Sequence, residues 1–210
     1  MLEYKLIIFD CDGSLVDSES LSNKLISNMM NEVGINMTET QSLKLFKGTH
    51  FQLITEYVKK HKTIEFDYDF EKEFRTRCQL LFENDLKTIE GAIPFINKLD
   101  IPYCIASNGP QNKMKVSLKA TGLDAFFTKV NTFSAYDIDS FKPNPDLFLY
   151  AAEKMGVETD KCLVIEDTVP GIEAALSANM DVWGVLHPGI NDEIKTYDIK
   201  TFSSFKELEI

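Results

Sequence analysis

The sequence predicts an α/β fold, a doubly wound parallel sheet with an inserted helical lobe, and three features of its patterning carry that expectation. After Gly91, short apolar runs that stop at polar turns alternate with helix-like segments, as in a parallel sheet with helices on both faces. Between the first apolar run and that alternation, long stretches place apolar residues three and four apart, which is the helical period. Four chemically unusual clusters stand at strand ends or just before a helix, where ligands bind in open parallel sheets.

The elements follow in order. Tyr4 to Phe9 is a short hydrophobic run stopped by Asp10-Cys11-Asp12-Gly13, the pattern of a buried strand closing in a polar turn. From about Ser18 to Leu86 the apolar residues Leu21, Leu25, Ile26, Met29 and Met30, then Phe51, Ile54 and Val58, then Phe70, Phe74, Leu80 and Leu81 recur at helical spacing, with no strand among them. Helices are expected over Ile93 to Leu99, Asn112 to Thr121, Pro145 to Met155 and Gly171 to Ala178, and strands over Tyr103 to Ser107, Cys162 to Ile165 and Val182 to Leu186. The expected division is a sheet domain over residues 1–17 and 88–210 with a helical lobe over 18–87.

Composition bounds what such a fold can do. A chain of 210 residues can bury about 70% of its unfolded surface. The apolar share of 44%, the charged share of 26% and 15 Phe argue for a folded core and against disorder. A net charge of −11 speaks against nucleic acid or an anionic membrane as partner, since neither offers counter-charge to an acidic surface. An acidic protein that handles phosphate must concentrate positive charge locally, through a bound metal and a few placed lysines. Cys11, Cys78, Cys104 and Cys162 are scattered without CxxC or Cys/His spacing, which reads as buried free thiols in a reducing compartment. The run Leu6 to Phe9 is too short for the core of a signal peptide and no later stretch is long enough to span a bilayer. The expectation is a cytoplasmic monomer acting on a small molecule.

Asp10 and Asp12 are two apart, so in extended backbone they project to one side while Cys11 points away. At about 4 Å and an effective dielectric of ~20, two like charges cost on the order of 4 kcal/mol, and Glu166 with Asp167 adds to the repulsion. A divalent cation removes it, and all-oxygen ligands favour a hard ion such as Mg²⁺ over zinc. A calcium loop of the EF-hand type fails by position: counting from Asp10, the required glycine falls on Leu15 and the required glutamate on Leu21. Helix capping suits Asp17 and Ser18 but not two acids directly after a buried strand.

Ser107-Asn108-Gly109-Pro110 offers a hydroxyl, turn amides and a proline suited to the first position of a helix, and a helix start points free amides at an anion. The same four residues are also ordinary turn chemistry; their place after a strand singles them out. Lys142 precedes Pro143 and Pro145 in a stiff loop before a helix. Beside a carboxylate cluster such a lysine can neutralise phosphate and orient a nucleophile.

Together and in this order, the clusters resemble the four motifs of the haloacid dehalogenase superfamily. Asp10-Cys11-Asp12-Gly13-Ser14-Leu15-Val16-Asp17 matches the first, Ser107-Asn108-Gly109 the second, Lys142-Pro143 the third and Glu166-Asp167-Thr168 the fourth. The resemblance covers essentially the whole chain, with the helical stretch similar to the small α-helical cap of the beta-phosphoglucomutase-like phosphatase branch. It implies a Rossmann-like core and a phosphatase acting on a sugar phosphate or phosphorylated sugar acid. In that resemblance Asp10 is the nucleophile that forms an aspartyl-phosphate, and Asp12 protonates the leaving oxygen and then activates water. Mg²⁺ is held by Asp10, the Asp12 carbonyl and Asp167, with Glu166 direct or through water. Ser107 and the Asn108 amide bind phosphoryl oxygens beside Gly109, and Lys142 balances charge near Asp10.

The alternative within the resemblance is a phosphosugar mutase. The resembling mutases carry a histidine in the first cap helix, twelve residues after the nucleophile, where this sequence has Ser22. Asp12 favours phosphate substrates, because dehalogenases attack carbon and need neither that acid nor magnesium. The segment Phe46-Lys47-Gly48-Thr49-His50 looks like the family's specificity loop, in which Lys47 and His50 meet a carboxylate or hydroxyls of the substrate; the competing reading is a pair of solvated residues at a helix end.

Overall fold

The structure is a computed structural model, and it describes residues 4–46 and 51–208. The chain begins with strand β1 (Leu6–Phe9), then runs through four helices, α1 (Ser18–Glu32), α2 (Glu39–Phe46), α3 (Phe51–His61) and α4 (Phe70–Asp85). The remainder is α5 (Ala92–Asn97), β2 (Tyr103–Ser107), α6 (Gln111–Thr121), β3 (Thr132–Ser134), α7 (Asp146–Met155), β4 (Cys162–Glu166), α8 (Val169–Ser177), β5 (Asp181–Val185) and β6 (Lys200–Phe202), with short 3₁₀ turns between some of them.

All six strands are parallel, in the order β3-β2-β1-β4-β5-β6. This is a Rossmann-like doubly wound sheet: the chain steps outward from β1 through β2 and β3, then returns to β4 and steps out the other way. The order reverses at β1, so the crevice beyond the carboxyl ends of β1 and its neighbours is where ligands bind in such sheets. β1 is paired on both sides and covered on both faces, which is why Leu-Ile-Ile-Phe is apolar throughout. On one face Leu6 and Ile8 pack with Leu147, Phe148 and Ala151 of α7 and with Ile172 and Ala175 of α8. On the other, Phe9 meets the rings of Phe95, Phe127 and Phe205 edge-on or tilted.

Three elements lie outside the sequence-based expectations. β3 and β6 are three-residue edge strands, Thr-Phe-Ser and Lys-Thr-Phe, too short and too polar to show alternation. Helix α2 buries only Ser42 and Phe46, four apart, so its apolar stripe is too thin to read. Pro110 is the N-cap of α6 with extended backbone, one position before the helical site expected for it.

The chain divides into two compact units, Met1–Asp17 with Lys87–Ile210, and Ser18–Leu86. The helical unit has its own core, in which Ile26, Met29, Met30, Phe46, Ile54, Val58 and Phe70 are buried. Lys87, placed in the helical lobe from sequence, falls with the sheet unit. Its carbonyl accepts from the Asp17 amide at 2.9 Å and the next residue, Thr88, bridges Val16. All four cysteines are free; Cys11, Cys104 and Cys162 are buried, but Cys78, on α4, is only half-buried, against the expectation of four buried thiols. Among the described residues no helix is long and apolar enough to cross a membrane.

Candidate active site

The parallel pairing of β1 with β4 builds the site. The Asp10 amide donates to the Ile165 carbonyl at 2.8 Å, extending the ladder one residue past β1. Asp10 therefore lies beside Glu166 and Asp167 at the end of β4. Each of the three offers a carboxylate oxygen within 4.8 Å of the others, and all three are buried. Lys142 reaches in between: its Nζ is 2.6 Å from Asp10 Oδ1 and 2.8 Å from Glu166 Oε2, with the ammonium 4.7 Å from the centre of the Phe148 ring. The backbone of Lys142 is held in turn by Asn108, whose Oδ1 accepts from the Lys142 amide at 2.9 Å. Motifs far apart in sequence are thus bonded to one another.

Two glycines are required by close approach. A Cβ at Gly171 would fall 1.9 Å from Glu166 Oε2, so only glycine lets α8 pass over that carboxylate. Gly13 has φ +85°, and a Cβ there would fall 2.4 Å from Asp167 Oδ2. The loop carrying Gly13 closes on itself, with its amide donating to the Val16 carbonyl at 2.8 Å.

Asp12 points its Oδ2 at the ammonium of Lys113, 2.8 Å away. Ser107 is buried at the end of β2, and its Oγ accepts from the Gly109 amide at 3.1 Å. That amide is thus engaged within the turn. Lys47, Gly48, Thr49 and His50 lie outside the described residues. Sequence reasoning missed several groups at the site. Lys113 sits in the first turn of α6 and looks like any surface lysine. His187 places Nε2 2.7 Å from the Gly13 carbonyl, so that nitrogen carries the proton and donates. Asn191 is buried; its Nδ2 donates to the carbonyls of Asp167 at 2.7 Å and Val185 at 2.9 Å, and its Oδ1 accepts from the His187 amide. Ser14 Oγ donates to Asp167 Oδ1 at 3.3 Å. None of these carries a local signal, because each acts through a partner more than a hundred residues away or inside an irregular loop.

Three buried carboxylates face one buried ammonium, and the imbalance shows in Asp10. Burial pushes its carboxyl well above the usual carboxylate range, and the charges of Glu166 and Asp167 push the same way while Lys142 pulls it down. Burial lowers the Lys142 ammonium, but Asp10 and Glu166 outweigh that, and Lys142 stays charged far into alkaline conditions. A cation among Asp10, Asp167 and Glu166 would relieve the repulsion. The donor set is all oxygen, which suits a hard divalent ion. Both oxygens of Glu166 are engaged: its Oε1 accepts from the Asp167 amide, the Thr168 amide and Thr168 Oγ1, and its Oε2 from Lys142.

A Rossmann-like sheet whose switch point holds a lysine-clamped aspartate beside two further acids fits an enzyme of the phosphoryl-transfer kind. The comparisons agree. The family model described as haloacid dehalogenase-like hydrolase matches residues 7–185, and the chain belongs to that family. It is 32% identical over 209 residues to 6-phosphogluconate phosphatase of Escherichia coli, covering 99% of this chain and 94% of that protein. A conserved haloacid dehalogenase-like protein of unknown function from Agrobacterium tumefaciens shares 30% identity with a TM-score of 0.85, over 97% of this chain and 95% of that one. A family hydrolase from Deinococcus radiodurans, solved with bound phosphate and sodium, is 26% identical with a TM-score of 0.86, over 99% and 94% of the two chains. Family and site together make the protein a phosphatase.

Proposed function

We propose that this phosphatase hydrolyses a sugar phosphate or phosphorylated sugar acid, with Mg²⁺, through a phosphoryl group carried on Asp10. The observation that carries the reading is the clamp on Asp10, a buried carboxylate bonded at 2.6 Å to a buried lysine and flanked by two more acids. Lys142 holds the Asp10 carboxylate in one orientation, which suits attack on phosphorus over a role as solvated surface charge. In the first step an Asp10 oxygen bonds to phosphorus, the bond to the leaving oxygen breaks, and Asp12 gives that oxygen a proton. In the second, Asp12 takes a proton from water, the water oxygen bonds to phosphorus, and the bond to Asp10 breaks, releasing inorganic phosphate.

Asp10, the Asp12 carbonyl and Asp167 would hold the ion. When bound, Mg²⁺ supplies positive charge that draws the phosphoryl oxygens to the site and offsets the charge of the carboxylates. The four hydrogen bonds accepted by Glu166 support its contact with the ion through water and give it a second task, holding Lys142. Ser107 and the Asn108 amide are the groups for the phosphoryl oxygens, and Asn108 also fixes the Lys142 backbone. The substrate class is supported by the relative named 6-phosphogluconate phosphatase. Ser22 supports hydrolysis over a mutase: its hydroxyl lies 3.8 Å from Cys78 Sγ within the helical unit, and neither its length nor its pKa suits the task of a histidine.

The test is phosphate release from a panel of phosphorylated sugars and sugar acids, with and without Mg²⁺. Turnover of several members that stops on chelation is the expected result. A fully inactive protein across the panel would sink the reading.

A further inference from the structure

A second lysine stands at the site with a different carboxylate as partner. Lys142 is buried against Asp10 and Glu166, whereas Lys113 meets Asp12 Oδ2 at 2.8 Å, its side chain 43% exposed and that of Asp12 19% exposed. An exposed pair on a mobile surface would contribute little. This one is anchored from behind. Gln111 Nε2 donates to the Thr132 carbonyl at 3.1 Å and to Asp137 Oδ2 at 2.8 Å. Ser134 Oγ donates to the Gly109 carbonyl at 2.8 Å, and the Gly109 amide donates to Ser107 Oγ. The ends of β2 and β3 thereby pin the chain on both sides of Pro110. The first turn of α6 cannot shift without breaking these bonds, and that turn carries Lys113. A Cβ at Gly109 would lie 3.4 Å from Asp12 Oδ2, so the same turn runs close beside the Asp12 carboxyl.

We infer that Lys113 is a positioning residue for Asp12, holding one carboxyl oxygen so that the proton passes to the leaving oxygen along a fixed line. The inference rests on Asp12 acting as the acid. In that step the phosphorus–oxygen bond breaks, the leaving oxygen keeps the bonding pair and takes the Asp12 proton, and Lys113 retains its own protons and charge. The consequence is a dependence on the leaving group. A sugar alkoxide needs that proton to depart, whereas p-nitrophenolate is stable without it. The second step, in which Asp12 is the base, is common to both substrates, so the difference belongs to the first step; a lysine that merely supported the fold, or that bound phosphate, would affect that step alike for both.

The experiment measures kcat and KM with Mg²⁺ on p-nitrophenyl phosphate and on the best sugar phosphate of the panel, for the wild type, Lys113→Met, Lys113→Gln and Lys113→Arg, with thermal unfolding to confirm that each variant is folded. Since a positioned general acid contributes ~10²–10⁴, Lys113→Met and Lys113→Gln should lower kcat/KM on the sugar phosphate, which reports the step in which the leaving oxygen departs, by about tenfold or more. The loss of kcat/KM on p-nitrophenyl phosphate should be at least about fivefold smaller, and Lys113→Arg should recover most of the sugar phosphate value. Equal losses of kcat/KM on the two substrates, or an unchanged kcat/KM on the sugar phosphate, would overturn the inference while leaving the phosphatase reading in place. A wild type that releases phosphate from neither compound overturns that reading and this inference with it.

Discussion

Asp10 is the residue on which the proposed chemistry converges, and the site around it makes predictions of its own. Asp10→Asn keeps the size of the side chain and removes the attacking charge, so turnover should fall by on the order of 10³ or more, as for nucleophiles in other covalent hydrolases. Because burial and the neighbouring acids already make ionised Asp10 costly, the metal-free variant should melt no lower than the metal-free wild type. A melting point several degrees lower would show that ionised Asp10 stabilises the fold. The pH dependence follows from the same shift. An acid whose folded value is raised contributes stability below its unfolded value, and that contribution is lost as pH rises through the raised value. If Mg²⁺ takes up the ionised carboxylate, the rise in melting temperature on adding Mg²⁺ should grow as pH rises above the ordinary carboxylate range. An increment independent of pH would contradict Asp10 as a ligand. Asp167→Ala should weaken the Mg²⁺ titration by roughly 10- to 100-fold, the effect of disturbing a ligand set, and an unchanged titration would remove Asp167 from it.

At the scale of elements, the site depends on how α8 and the loop after β5 close over the end of β4. Gly171→Ala would put a methyl into the Glu166 carboxylate. The overlap should cost about 1–3 kcal/mol of stability and displace the group that holds Lys142, so activity should fall more than stability alone explains. A variant with wild-type turnover would mean that Glu166 has no part in placing Lys142. How legible these elements are follows from their burial. β1 is readable because Leu6 to Phe9 are buried on both faces, and Asp10 directly after it is readable because acids seldom follow such a strand without a reason. Glu166 and Asp167 are readable on the same grounds, Lys142 from its place in a proline-stiffened loop before a helix, and the structure brings all three together with Asp10. The edge strands Thr132–Ser134 and Lys200–Phe202 are not, since three residues cannot display a period. Asn191 and Lys113 escape for another cause: their roles exist only through partners supplied by the fold.

The whole molecule joins a Rossmann-like sheet unit to a helical insert with its own core, and the choice between hydrolysis and phosphoryl transfer to a sugar is a property of that whole. A mutase must keep its phosphorylated aspartate from water until a sugar hydroxyl arrives, and the position that holds a histidine in resembling mutases is here Ser22, facing Cys78. Offered beta-glucose 1-phosphate with a trace of the 1,6-bisphosphate, the enzyme should release inorganic phosphate without accumulating glucose 6-phosphate; near-stoichiometric glucose 6-phosphate would make it a mutase. The central claim, that phosphorus passes through Asp10, is tested most directly by acid quenching. With ³²P-labelled p-nitrophenyl phosphate and Asp12→Asn, in which water attack is slowed, the account predicts label on the peptide containing Asp10, removed by hydroxylamine as an acyl phosphate. Label on any other residue, or sustained turnover with no labelled protein, would contradict it.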